Sequence, residues 1–183
     1  MEDSQKNRIP LAPPPQLPAV VDNMEFIKNK CAGTAKKIRI TVEKTTIEVW
    51  FHKHYYTRSH FGDANGKRDG IDPHLVEALV LKATNALIVY SSIVDGFSFV
   101  NHTDTFSGNS KAIVIQNMTE TPPLSIVIEA HFINTSTYEI TVKTAMKVND
   151  FRLFDGQYSI EIHKDGTVLR KMVKGCVKKI LEL

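Results

Sequence analysis

The sequence predicts an α+β fold: a mostly antiparallel sheet packed against one or two helices. Two observations carry this expectation. One is a capped amphipathic stretch, DPHLVEALVLKATNAL; the other is the series of β-branched and aromatic segments that follows it. A length of 183 residues and a hydrophobic content of 42 % are enough for one core, hence a single domain with short appendages.

Residues 1–22 read as a flexible leader. Pro10, Pro13, Pro14, Pro15 and Pro18 interrupt it, and no apolar periodicity accompanies them. The domain is expected over 23–183, opening with a short helix at 23–30. In IRITVEKTTIEVWF, Ile38, Ile40 and Val42 alternate on one face and Ile47, Val49 and Phe51 on another, with a turn at Lys44 and Thr45. That pattern is a two-stranded hairpin. A polar, glycine-containing loop, HKHYYTRSHFGDANGKRDG, comes next.

Asp72 is a natural cap for the following helix and Pro73 suits its first position. Leu75, Val76, Leu79, Val80 and Ala83 form its apolar stripe. Strands are then expected in LIVYSSIV, FSFVN, AIVIQNM, LSIVIEAHFI and YEITVKTAMKV. Asp95-Gly96, Ser107-Gly108-Asn109, Pro122-Pro123 and Asn134–Ser136 separate them. A further hairpin is expected around Asp165-Gly166. In segment 167–183 the apolar positions 168, 169, 172, 173, 176, 177, 180 and 181 have helical spacing, which predicts a basic amphipathic C-terminal helix. A strand ending near Val173 followed by a short helix is the competing assignment.

Net charge is +3, but it is concentrated. Residues 164–183 carry six cations and two acids, and residues 36–68 carry eight cations and three acids. Two basic zones on a nearly neutral body suit a local polyanion footprint; ordinary solvated faces are the plainer reading. No apolar run approaches a membrane span, and the N-terminal ten residues have no signal-peptide core. Cys31 and Cys176 have no metal-ligand spacing, so a reducing cytoplasmic setting is expected. Walker, Rossmann, nucleophile-elbow, zincin and EF-hand patterns are absent.

The chemistry-bearing segment is His52-Lys53-His54-Tyr55-Tyr56-Thr57-Arg58, followed by Lys67-Arg68-Asp69-Gly70-Ile71. On a helical turn His54 and Arg58 share a face, with Arg68 returning at the mouth of the next helix. RNA cleavage without a metal needs such a set. An imidazole moves protons for the attacking 2′-OH and the leaving 5′-oxygen, and guanidinium groups offset charge building on the phosphorane. No cofactor is called for.

The order strand, His-x-x-x-Arg, basic residue before an Ile-containing turn, helix, consecutive strands resembles the superfamily of RelE-, colicin- and EndoU-type metal-independent ribonucleases. It is nearest to RegB-type enzymes and small domains with a His-x-x-x-Arg signature. Here His54, Arg58 and Arg68-Asp69-Gly70-Ile71 carry the likeness, which spans roughly residues 46 to 150. The insertion SHFGDANGK departs from it by lengthening the gap between Arg58 and Arg68. The resemblance implies a toxin or a phage-type RNA-processing factor. It also implies that Lys143-Thr144 is the late-strand basic and hydroxyl pair of the site; simple alternation on a half-exposed strand is the other reading.

RNA would then be the main partner, contacted by Lys53, Tyr55, Lys67, Arg170, Lys171, Lys174, Lys178 and Lys179, with a protein inhibitor or partner as a second. Against this stand a non-catalytic RNA- or protein-binding accessory using the basic C-terminal helix, and zinc held by His52, His54, His60 or Asp63. A lone His-x-His is a poor metal signal, so no metal is assigned. His131, between Ala130 and Phe132, reads as a structural histidine.

Overall fold

The computed structural model describes residues 37–42, 45–52, 55, 71–101, 110–134 and 137–183. The leader at 1–22 and the short helix expected at 23–30 lie outside them. Among the described residues one long helix, α1 (Pro73–Ile93), packs on a nine-stranded sheet. Its strands are β1 (Lys37–Val42), β2 (Thr45–Phe51), β3 (Val100–Asn101), β4 (Ala112–Asn117), β5 (Leu124–Asn134), β6 (Thr137–Lys147), β7 (Tyr158–Ile162), β8 (Thr167–Val173) and β9 (Cys176–Glu182). They lie in the order β1-β2-β6-β5-β4-β7-β8-β9. The short β3 pairs β5 at Ala130 and His131, beyond the stretch of β5 that pairs β4.

The fold is α+β as expected, but the sheet is mixed rather than mainly antiparallel. β2 runs parallel to β6, β4 to β7 and β3 to β5. Chain neighbours such as β1–β2, β4–β5 and β5–β6 do form the expected antiparallel pairs. The parallel partners are strands joined by long connections, to which a hairpin rule does not apply.

Asp72 caps α1 as expected, accepting from the His74 backbone N–H at 2.9 Å, with Pro73 first in the helix. The helix continues through LIVYSSIV, which was expected to be a strand. The reason lies in the stripe: Val76, Leu79, Val80, Ala83, Leu87 and Tyr90 are buried at successive spacings of one, three and four. Leu87 and Tyr90 therefore extend the buried face of the first half, while Val89 and Ile93 stay exposed. Helical packing outweighs the β-branched composition. The Tyr90 hydroxyl donates to the Thr167 carbonyl at 2.7 Å, tying the end of the helix to β8.

By length and composition α1 could cross a membrane; its buried stripe is that of a core helix. Ile47, Val49, Phe51, Ile115, Ile128, Ile140, Val142, Ile160 and Leu169 meet it from one face of the sheet.

The predicted C-terminal helix is instead the β8–β9 hairpin. Val173 pairs with Cys176 across the two residues Lys174 and Gly175, with φ of 51° and 78°. Two left-handed residues give the turn whose twist matches that of paired strands. Apolar residues in adjacent twos fit a ribbon with one residue on each face as well as they fit a helix.

Candidate functional site

With α1 covering one face, alternation sends Glu48 and Trp50 of β2, Glu129 and His131 of β5, and Glu139 and Thr141 of β6 to the other. The parallel register sets Glu48 beside Glu139 and Trp50 beside Thr141. The antiparallel register sets His131 opposite Glu139 and Glu129 opposite Thr141. Glu48, Trp50, Glu139, Thr141 and Thr144 are all buried, so polar groups cross the middle of this face.

A bulge interrupts β6 here. Val127 pairs with Thr144 and Ile128 with Val142, leaving Lys143 as the extra residue. Such a bulge re-aims a side chain while the ladder continues on either side. Lys143 Nζ lies 3.1 Å from Glu129 Oε2, and the Ser110 hydroxyl donates to Glu129 Oε1 at 3.0 Å. Burial holds the His131 imidazole below its ordinary value. The Glu129 carboxylate acts to raise it and the Lys143 ammonium to lower it further.

The end of β2 meets the same bulge. The His52 N–H donates to the Val142 carbonyl at 2.9 Å, one residue before Lys143. The Tyr55 N–H donates to the His52 carbonyl at 2.9 Å, and its hydroxyl donates to the Ile71 carbonyl at 3.1 Å. The two flanks of segment 56–70 are therefore tied to each other. Lys53, His54, Arg58, Lys67 and Arg68 lie outside the described residues, as do His60 and Asp63.

Tyr55 is a correction. Its ring is 2 % exposed and packs on Phe51 with centroids 5.0 Å apart, so it is a core side chain and does not offer a face to a base. The C-terminal cations do not form one helical patch either. Arg170 pairs with Glu161 at 2.6 Å on the face away from α1, whereas Lys171 sits 4.6 Å above the Tyr158 ring on the opposite face. Lys174 is at the turn, and Lys178 and Lys179 are on the exposed β9, where Lys179 bonds Glu182.

Glu48, Glu129 and Glu139 were not among the sequence candidates. Their signal was only the alternation of polar with apolar residues, which any half-exposed strand displays. Among the described residues no three His, Cys, Asp or Glu side chains are grouped to hold a metal ion. No protein-family model, curated protein or solved structure matches this chain.

Proposed function

We propose that the chain is a metal-independent endoribonuclease that cleaves RNA by attack of the ribose 2′-OH on the adjacent phosphate. His54 transfers the proton. Arg58 and Arg68 offset the phosphorane charge, and Lys143 and Thr144 supply a further cation and hydroxyl. The supporting observation is the His52–Val142 backbone bond: it joins the strand that leads into His54 to the residue preceding Lys143. The Tyr55–Ile71 bond adds to it, since it brings the residue after His54 to the one that ends the Arg68-Asp69-Gly70-Ile71 motif. Three separated pieces of sequence thereby have anchored flanks at one end of the sheet.

The test is incubation of the purified protein with total RNA in EDTA. Fragments ending in 2′,3′-cyclic phosphate are expected, with a loss of about 10²-fold or more for His54→Ala. Equal cleavage by that variant, with its fold retained, overturns the proposal. The second reading, a non-catalytic binding protein, is favoured by the Lys143–Glu129 pair, in which a carboxylate already satisfies the cation. Retention of RNA with no new ends would select it.

A further inference from the structure

Strand β9 closes the sheet at the end opposite to β1, and we infer that it accepts an acidic, extended segment of a partner protein as an additional strand. Among the described residues β9 pairs with β8 alone, leaving one side of its backbone without a ladder. Six of its seven residues are exposed, including Val177 and Ile180. An edge strand of this length with apolar side chains is a template for strand addition.

Charge selects the occupant. Lys171 stands opposite Lys178 on the α1 side of the ribbon, and Arg170 stands opposite Lys179 on the other. Like charges directly across a ladder are unfavourable, and one such pair falls on each face. Arg170 has Glu161 and Lys179 has Glu182; Lys178 has no carboxylate partner among the described residues. An added strand sends successive side chains to opposite faces, so neighbouring acids on it meet Lys178 on one side and Lys179 on the other. A phosphate backbone follows a single surface and meets cations on both faces less well. A second copy is disfavoured because antiparallel pairing of two β9 strands brings their central lysines together.

The test uses the full chain and a fluorescein-labelled ten-residue peptide in which pairs of adjacent glutamates are separated by pairs of valine and threonine, so that each glutamate pair presents one carboxylate to each face. Controls are the same peptide with lysine for glutamate, and an acidic version with a central proline. Anisotropy should report salt-sensitive binding of the uninterrupted acidic peptide only, and hydrogen exchange at β9 amides should slow when it binds. Lys178→Glu with Lys179→Glu should weaken it by roughly tenfold and confer binding of the lysine peptide, with the circular dichroism spectrum unchanged. Three results overturn the inference: no binding, equal binding of the proline peptide, or protection of β9 by RNA or by self-association in place of the peptide. None of them bears on cleavage at His54, so the two proposals fail separately.

Discussion

Lys143 and Glu129 face each other across the bulge between β5 and β6, with Nζ 3.1 Å from Oε2, and both act on the partly buried ring of His131. Removing either charge should move that ring in opposite directions. Glu129→Gln deletes the group that favours protonation, so the His131 pKa should fall further. Lys143→Met deletes a group that opposes it, so the pKa should rise. Imidazole proton shifts followed through a pH titration measure both, and a common direction would contradict the arrangement.

The same histidine makes stability depend on pH. Its pKa is lower in the folded state than the ordinary 6.5, so the unfolded chain binds the proton more readily. The His131 contribution is therefore complete above about pH 6.5 and is lost as pH falls from there through the folded value. Denaturant midpoints for wild type and His131→Gln should converge as pH falls across that window. A wild-type advantage that grows toward acid pH would reverse the sign.

Tyr90→Phe removes a buried hydroxyl bonded to the Thr167 carbonyl and 3.0 Å from its Oγ1, while leaving the ring in place. A loss of about 1–2 kcal/mol is expected, read from chemical denaturation. Leu87→Ala, one turn earlier in the same stripe and fully buried, should cost about 2–5 kcal/mol through the cavity it leaves.

The β8–β9 turn gives a paired prediction. Lys174 holds a left-handed conformation that asparagine adopts more readily, so Lys174→Asn should stabilise the hairpin by a few tenths of a kcal/mol. Gly175→Ala, at φ 78° with open space around it, should cost about 1 kcal/mol from backbone conformation alone. Thermal unfolding of the two variants should move in opposite directions.

The same turn shows where the sequence was legible. Asp72, Pro73 and the stripe from Val76 to Ala83 specify the start of α1 locally, and the structure has it there. Alternation likewise located β1 and β2, and β-branched segments between turn signals located β4, β5 and β6. What failed was local pattern without a partner. Leu87 and Tyr90 are helical because β8 and the sheet face receive them. Residues 176–182 are a strand because Lys174 adopts a backbone region that its side chain does not advertise. For the site, Lys143 was named from a resemblance, but the bulge that sets it apart comes from a register shift against Val127 and Ile128. Glu48 and Glu139 become neighbours only through a parallel pairing that no short window of sequence contains.

That parallel pairing has a consequence for how the chain acquires its structure. Thr46 and Thr137 are register partners about ninety positions apart, so the hairpin synthesised first has no seat until β6 has emerged from the ribosome. Closing so long a loop is costly in entropy and slow, and it leaves the apolar edge of β2 exposed to other nascent chains meanwhile. The backbone bond from His52 to Val142 closes that same long loop. A nascent chain arrested before Thr137 carries helix and hairpin but none of the assembled centre.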